Sequence, residues 1–452
     1  MKPNKSRINL TDGPVGKSIV SLMLPMMAGM VALMSYSLAD TYFVAQLGTL
    51  QLAAMSFTFP VNFIVGAIAM GIGTGVSSIC SRLFGKNEMG EIQRVATHAV
   101  ILAAIMGVGV TILGLTTIRP LFTLLGADET TLPLIEQYMS IYYFGGVFLV
   151  IPMIGNSVMR SSGDAKTPAK IMTTAALLNI AIDPILIFGL FGAPRLELEG
   201  AAIATVLANV ITALTSVGIV VFRDHLIRFK SEDLPRLFES WQEILHIGVP
   251  SMTSSLIAPM TTAFITWQVS SFGQEAVAGF GVASRVEGIA LLCLMAMSAS
   301  VAPFTGQNFG RGDYSRVRKG IRFCYKFSIV YGSIIALLMA VLSPYIAAAF
   351  TDDPKATAST LMHMRLVPWS YFLLGFSMIA VSAFNAIGKP MPAMWISLTR
   401  TILVYAPLAF FMAWWLGLIG VFLAAFIANL CSGALAFFWF RSVFFKWQPA
   451  TS

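Results

Sequence analysis

Charge is the scarcest property of this 452-residue chain, of which Asp, Glu, Lys and Arg together form 11%. Ordinary soluble domains carry about 25% charged residues. The longest polar interruption between apolar runs, roughly Arg223 to Gln242, is too short to hold a soluble catalytic domain. With a mean hydropathy of +0.79, the chain cannot have water as its principal solvent, and a soluble enzyme is excluded.

Cysteine and histidine are also scarce, with four residues of each type. The cysteines, which show no CxxC spacing, are Cys80, Cys293, Cys324 and Cys431. The histidines, which show no metal-ligand spacing, are His98, His225, His246 and His363. We therefore expect no disulfide and no resident metal site, and we interpret the histidines as structural or exposed.

Apolar runs long enough to cross a bilayer, about 20 residues each, follow one another along nearly the whole chain. The predicted spans, numbered 1 to 12, lie at 18–43, 53–80, 95–117, 134–158, 169–190, 199–222, 244–270, 278–305, 320–342, 361–385, 392–415 and 418–442. The chain is thus predicted to be an all-α polytopic membrane protein of twelve transmembrane helices. The first run is too long for a signal-peptide core, so the polar arm before it should stay attached.

The basic residues alternate from loop to loop. They fill the N-terminal arm and every second loop as Lys2, Lys5, Arg7, Lys17, Arg82, Lys86, Arg94, Arg160, Lys166, Lys170, Arg223, Arg228, Lys230, Arg236, Arg311, Arg316, Arg318, Lys319, Arg322, Lys326, Lys389, Arg441 and Lys446. The opposite loops hold only Arg119, Arg195 and Lys355. The positive-inside rule then predicts cytoplasmic termini in a bacterial inner membrane. We expect the chain to interact with the lipid bilayer and not with nucleic acid. We also expect it to be a monomer.

An internal repeat relates the two halves at an offset of 225 residues. Leu24-Pro25 returns as Val249-Pro250, and Phe84-Gly85-Lys86 returns as Phe309-Gly310-Arg311. Six spans per half is an even number, so both halves begin on the same side and the repeat is parallel. We predict an N-terminal lobe at 1–222, a cytoplasmic linker at 223–242 and a C-terminal lobe at 243–452.

Three acids stand inside apolar spans, where an unpaired charge costs roughly 2.5–3.5 kcal/mol on insertion scales. Asp40 follows Tyr36 by one helical turn, and Asp183 follows Asn179 by the same spacing, so each pair shares a helix face. Pro184 lacks an N–H, which frees the carbonyl of Ile180 and predicts a kink in span 5. These oxygen groups suit a proton with its water or a sodium ion.

The repeat does not copy the first two acids. Asp40 corresponds to Ile265, and Asp183 falls near Tyr405 or Ala406, which favours cation chemistry in the N-terminal lobe. We interpret the third acid, Glu287, as a local polar pair with Arg285 and expect Glu287→Gln to retain most transport.

Two further features bear on packing and on the substrate. The stretch from Gly71 to Gly75 resembles a phosphate loop but lies inside an apolar span without a Lys-Ser/Thr ending, so it predicts close helix packing. Flexible thioethers and aromatic faces suit varied organic cations. Met172, Phe264 and Met295 are therefore candidate substrate-cavity residues.

Over nearly its full length the chain resembles the multidrug and toxic-compound extrusion (MATE) family, and within it the DinF-type branch. The resemblance rests on Ala39-Asp40-Thr41, Arg82-Leu83-Phe84-Gly85, Arg160 with Gly163, and Leu178-Asn179-Ile180 followed by Asp183-Pro184. It implies a cation-coupling site made of Tyr36, Asp40, Tyr138, Asn156, Asn179, Asp183 and Thr205. The NorM branch has an acid in span 7, and this chain has none there.

The resemblance implies an antiporter that exports amphipathic, often cationic compounds by alternating access, without a cofactor. A proton is preferred to sodium as the coupling ion, because buried neighbouring acids favour their neutral forms. The alternative is a flippase for lipid-linked oligosaccharides, which would need a basic cavity for pyrophosphate. A membrane enzyme is disfavoured by the lack of a catalytic cluster, and a passive channel by the two-lobe repeat.

Replacement of Pro184 tests the predicted kink. Pro184→Ala restores a helical hydrogen bond, so stability in detergent should be equal or higher while transport falls. Thermal melting of the purified variant, beside drug-dependent cation flux in proteoliposomes, measures both effects. Normal flux with an unchanged melting temperature would show that the kink serves packing and has no role in transport.

Overall fold

A computed structural model describes residues 8–445, without the side chains of Ala258 and Phe445. The predicted cytoplasmic arm with Lys2, Lys5 and Arg7, and Lys446 at the other end, lie outside the described residues. Apart from residues 8–14 and the connections between elements, the described chain is helical, as expected for segments that must satisfy their own backbone hydrogen bonds in lipid.

The helices follow one another with short connections. They are α1 (Val15–Ala45), α2 (Thr49–Lys86), α3 (Met89–Leu124), α4 (Leu132–Phe144), α5 (Gly146–Ser161), α6 (Lys166–Phe188), α7 (Glu197–Gly218), α8 (Leu237–Ser270), α9 (Gln274–Gly310), α10 (Tyr314–Phe350), α11 (Pro354–Leu366), α12 (Tyr371–Ala386), α13 (Pro390–Leu398), α14 (Ala406–Leu416) and α15 (Leu418–Phe445). Short 3-10 turns occupy Leu190–Gly192, Ser231–Arg236 and Val367–Ser370, and π-helical segments occupy Ile219–Arg223 and Thr399–Tyr405.

The predicted spans coincide with helical stretches along the described chain. Ten stretches are long and apolar enough to cross a membrane, and the bent pair α4 and α5 makes an eleventh. Helix α8 covers predicted span 7, so each of the twelve predicted positions carries a helix. The repeat is visible in the helix bounds as well, because α5 returns at the same offset of 225 residues as α12.

Several helices are less regular than the apolar pattern predicts. Span 4 was predicted as one helix, but it bends by 48° where α4 and α5 meet at Gly145. Span 10 is interrupted by the 3-10 turn at Val367–Ser370 and span 11 by the π-helical segment at Thr399–Tyr405. Hydropathy reports solvent preference and carries no signal for such local changes of winding. At Pro184, by contrast, α6 continues without a break, and the predicted kink stays a prediction.

Residues 8–445 fall into two compact units. Unit 1 contains residues 8–9 and Leu24–Met252, and unit 2 contains Leu10–Met23 and the chain from Thr253 onward. The predicted lobe limits at 222 and 243 stay a prediction. The connection predicted as a linker contains the 3-10 turn at Ser231–Arg236 and the first turns of α8.

Unit 2 holds its N-terminal segment through one buried arginine. The Arg316 guanidinium donates hydrogen bonds to the carbonyl oxygens of Leu10, Gly13 and Asp12 at 3.1, 2.7 and 2.9 Å. Asn308 donates a further bond to the Leu10 carbonyl at 3.0 Å. Three main-chain acceptors therefore balance a guanidinium that is only 9% exposed.

The glycines of α2 pack as predicted, against α8 within unit 1. A Cβ on Gly71 would lie 2.1 Å from a side-chain carbon of Met252, and one on Gly75 would lie 2.4 Å from the carbonyl oxygen of Ile244. The backbones of the two helices can approach this closely only without side chains at these positions. The phosphate-loop interpretation is thereby excluded.

The close approach predicts opposite effects for two glycines of the same helix. Gly75→Ala should destabilise the protein by about 1–3 kcal/mol, because the added methyl group meets main chain that must shift. Gly66→Ala is the matched control, since a Cβ at Gly66 meets nothing within 4 Å and alanine improves helix propensity by up to about 1 kcal/mol. Thermal melting of both purified variants in detergent measures the difference. Equal melting temperatures would contradict the proposed packing.

Candidate functional site

The candidate site in unit 1 is built from four one-turn pairs on four helices. Each pair has a spacing of four residues, which places both side chains on one helix face. The pairs are Tyr36 and Asp40 on α1, Asn156 and Arg160 on α5, Asn179 and Asp183 on α6, and Thr205 and Asn209 on α7. Tyr138 on α4 completes the set.

The polar groups of this site are buried. Asp40, Asn156, Asn179 and Asp183 are 5%, 3%, 1% and 0% exposed. One oxygen of Asp40, both oxygens of Asp183, the carbonyl oxygen of Asn156 and both amide atoms of Asn179 have no hydrogen-bond partner among residues 8–445. Unpartnered buried polar atoms are costly, at about 1–3 kcal/mol each, so this concentration indicates a group that the site exists to bind.

The two carboxylates and the two tyrosines interact across the helices. Asp40 and Asp183 are close enough to interact electrostatically. Tyr36 interacts with both acids and lies beside the Thr205 hydroxyl, and Tyr138 interacts with Asp40, Asp183 and Tyr36. Unit 1 therefore brings together all seven residues that the resemblance implied, from positions far apart in the chain.

A cavity of about 100 Å³ adjoins these residues. Tyr36, Asn156, Asn179 and Thr205 line it, and Asp40 and Asp183 each stand one helical turn after a lining residue, Tyr36 and Asn179. Ligand pockets for drug-sized molecules are typically about 300–1,000 Å³, whereas a cavity of this size holds a few waters. The cavity is thus large enough for a cation with water and too small for an organic substrate.

The structure adds two residues that the sequence prediction missed. Arg160 and Asn209 both line the cavity. The Asn209 amide donates to the Thr205 carbonyl at 2.9 Å, and the Arg160 guanidinium donates to the Ser157 hydroxyl at 3.0 Å. Their signal was present in the sequence, because each follows a predicted site residue by four positions. The charged residue of the cavity lining is therefore a base, Arg160.

The three candidate substrate residues lie in different surroundings. Met172 lines the same unit 1 cavity. In unit 2, the Phe264 ring contacts the rings of Trp267, Tyr405 and Phe410 at centroid distances of 5.7, 5.8 and 5.5 Å. Met295 is 44% exposed. Their role in substrate binding stays a prediction.

The predicted pairing of Glu287 with Arg285 is wrong. In unit 2 the carboxylate of Glu287 lies 3.5 Å from Nε2 of His363 on α11 and interacts with Tyr371 and Arg400. The Arg285 side chain is exposed, as the spacing of two residues on α9 requires, since such neighbours project from different faces. Of the two roles expected for the histidines, His363 therefore cannot be an exposed one, since its side chain is only 3% exposed.

A helical membrane protein with a parallel internal repeat and a cluster of buried polar groups inside one unit has the features of a membrane transporter. The chain is a member of the MATE family: the MatE family model matches residues 25–185 and 250–411. Members of this family are multi-pass membrane transporters, not enzymes. The expected family and fold are therefore confirmed.

Known proteins resemble the chain over almost its whole length. A protein of Shewanella oneidensis named "FAD transporter" is 36% identical over 434 residues, which cover 96% of each chain. The "Probable multidrug resistance protein YoeA" of Bacillus subtilis is 25% identical over 85% of each chain. The structure of the Vibrio cholerae MATE transporter VcmN matches with a TM-score of 0.91 at 29% identity, covering 96% of this chain and 97% of that one.

Two aspartates of unit 1 allow a matched test of the site. Asp40→Asn should abolish transport while leaving expression and membrane insertion near normal, because it keeps the shape and removes the titratable group. Asp128→Asn is the control: hydrogen bonds from Thr131 and Thr130 hold the pKa of this exposed loop aspartate at about 2, so it stays ionised and cannot carry an exchanging proton.

Both aspartate variants are compared with the wild type by the drug resistance of cells that express them and by drug efflux from those cells. If the Asp40→Asn variant showed wild-type efflux, the Asp40 carboxylate would not be part of the coupling site. Equal losses in the two variants would indicate a general effect of altered charge.

Proposed function

We propose that this chain is an antiporter that exports an organic solute in exchange for protons, with the unit 1 site as its coupling site. The observation that supports the proposal is the set of buried, unpartnered oxygen and amide atoms around Asp40 and Asp183. A proton neutralises such a carboxylate directly, and the adjoining cavity supplies the room for the water that delivers it.

The proximity of the two acids favours a proton over sodium. Two neighbouring carboxylates in a low-dielectric site disfavour double ionisation, so at least one of them readily takes a proton. Sodium would require a nearly complete shell of oxygens, as harder cations do. Asn156, Asn179 and Thr205 supply further oxygens close to the acids, so sodium is the competing ion in the experiment below.

The membrane potential supplies enough energy for useful export. A cation that crosses about 150 mV releases roughly 3.5 kcal/mol. This free energy supports a substrate gradient of roughly a few hundredfold for each charge moved. One coupling site is therefore sufficient for resistance to a toxic compound.

The first candidate substrate class comprises amphipathic, often cationic organic compounds. Relatives named as multidrug resistance proteins support this class, among them the B. subtilis protein at 25% identity. The aromatic group around Phe264 in unit 2 is suited to bind such compounds.

The second candidate substrate is flavin adenine dinucleotide. Its support is the S. oneidensis relative, which at 36% identity over 96% of each chain is considerably more similar than the B. subtilis relative. A dinucleotide carries a pyrophosphate, for which arginine is the favoured partner. Aromatic side chains would stack on its planar rings.

For the membrane arrangement we propose a monomer in the bacterial inner membrane with both ends in the cytoplasm. Basic side chains support this orientation: Lys86 and Arg94 flank the connection between α2 and α3, and Arg311 lies in the connection between α9 and α10. Labelling of a single cysteine placed at Arg311, from either side of the membrane, checks it.

Flux in everted vesicles with one ion gradient imposed at a time tests both the ion and the substrate. A proton gradient alone should drive uptake of the transported solute into the vesicles, and a sodium gradient alone should not. Ethidium and flavin adenine dinucleotide serve as the two substrate probes, in separate assays. Uptake of only one of them identifies the substrate class.

Vesicles that contain the Asp40→Asn variant are the control for leakage. If a sodium gradient alone drove uptake, the coupling ion would be sodium and not the proton. If neither gradient drove uptake of either probe above this control, the proposed antiport would be wrong.

A further inference from the structure

A second buried polar cluster lies within unit 2, around Glu287 on α9. His363 on α11 approaches this carboxylate to 3.5 Å through Nε2, and its own side chain is only 3% exposed. Nδ1 of His363 has no hydrogen-bond partner within residues 8–445. The Glu287 side chain keeps 24% of its surface exposed, so the protein does not enclose the pair completely.

The other groups that face Glu287 come from two further elements. Tyr371, at the start of α12, is fully buried with its hydroxyl facing the carboxylate, and Arg400 interacts with it electrostatically. Two polar side chains of neighbouring helices bond to other partners: Tyr331 on α10 donates to the Ala290 carbonyl at 2.8 Å, and Arg365 on α11 donates to the Ser343 hydroxyl at 3.2 Å.

The internal repeat relates this cluster to the coupling site of unit 1. At the offset of 225 residues, His363 occupies the position of Tyr138, which belongs to the unit 1 site. Glu287 occupies the position of Asn62, and Arg400 that of Ala175, which lines the unit 1 cavity. The second half therefore has a titratable histidine, His363, at the position of the site residue Tyr138. Its acid, Glu287, stands on a different helix of the repeat from Asp40.

The cluster also lies at two irregularities of the helices. Tyr371 directly follows the 3-10 turn at Val367–Ser370, and Arg400 lies inside the π-helical segment at Thr399–Tyr405. Departures from α-helical winding inside long helices frequently mark functional sites. A set of residues that served only to fill the interior would not require them.

The charges of the cluster are compatible with the binding of one exchangeable proton. With Glu287 ionised, Arg400 positive and His363 neutral, the three groups carry no net charge. An added proton is then taken up by the carboxylate or by Nε2 of the imidazole, which lie within reach of each other, and histidine is the side chain that ordinarily titrates near neutral pH. Loss of that proton restores the balanced state.

We propose that Glu287 and His363 form a second proton-binding site, in unit 2, which is loaded and unloaded during export. Arg400 and Tyr371 position the carboxylate and stabilise its ionised form, which is the unloaded state. The coupling of this site to export rests on the proposed proton antiport, whereas proton binding by the pair does not depend on it.

Infrared difference spectroscopy of the purified full-length protein tests proton binding directly. The experiment uses a background with both Asp40→Asn and Asp183→Asn, which removes the carboxyl groups of the unit 1 site. As the pH is lowered stepwise, a carbonyl band of a buried protonated carboxyl group should appear. Addition of Glu287→Gln should abolish this band, and addition of His363→Gln should shift its midpoint.

Arg285→Gln is the matched control, because this arginine is an exposed neighbour of Glu287 on the same helix and should leave the band unchanged. His363→Tyr restores the residue of the first half and guards against a folding defect in His363→Gln. A band that persists in Glu287→Gln, or that responds equally to Arg285→Gln, would overturn the site.

Proton-to-substrate stoichiometry in proteoliposomes tests the coupling, in a chain with an intact unit 1 site. Glu287→Gln should lower the number of protons exchanged per substrate, and Arg285→Gln should keep the wild-type number. An unchanged number in Glu287→Gln overturns the coupling of this site. If proton gradients drive no flux in the wild type either, the proposed antiport fails, while the infrared result still decides whether the pair binds a proton.

Discussion

A carboxylate that is buried without a hydrogen-bond donor from the protein needs a cation from solution to neutralise it. The candidate site of unit 1 depends on this constraint. Asp183 is fully buried with both oxygens unpartnered, an arrangement that a purely structural residue would not retain. The surrounding amides and hydroxyls offer oxygen atoms without neutralising it. In the proposed antiport, binding of a small cation completes the unit 1 site, and its release leaves an energetically unfavourable state that favours rearrangement.

The overall fold was predictable because the bilayer fixes the length and polarity of each helix. The predicted spans nevertheless fell short at several ends, as in span 3, where the helix runs from Met89 to Leu124. Polar turns such as the one around Glu91 extend helices beyond the apolar run, and a hydropathy window cannot see them. The bend at Gly145 and the π-helical segment at Thr399–Tyr405 depend on tertiary packing, which local composition does not report.

Part of the candidate site could be predicted because its pairs are local. Tyr36 with Asp40 and Asn179 with Asp183 are visible as one-turn spacings, while Tyr138 and Asn156 entered only through family resemblance. The partners of Glu287 could not be predicted, since His363 and Arg400 lie on other helices far along the chain. Only Arg285 was close in sequence, and proximity in sequence proved misleading because neighbours at a spacing of two residues point to different faces.

The construction of the unit 1 site from one-turn pairs has a mechanical consequence. Rotation of any one helix about its axis by roughly a quarter turn, the angle between successive residues, would withdraw both members of its pair together. Affinity for the ion would then fall in large steps instead of gradually. Such a site acts as a sensor of helix orientation, and by reciprocity an ion bound there clamps α1, α5, α6 and α7 in one rotational setting.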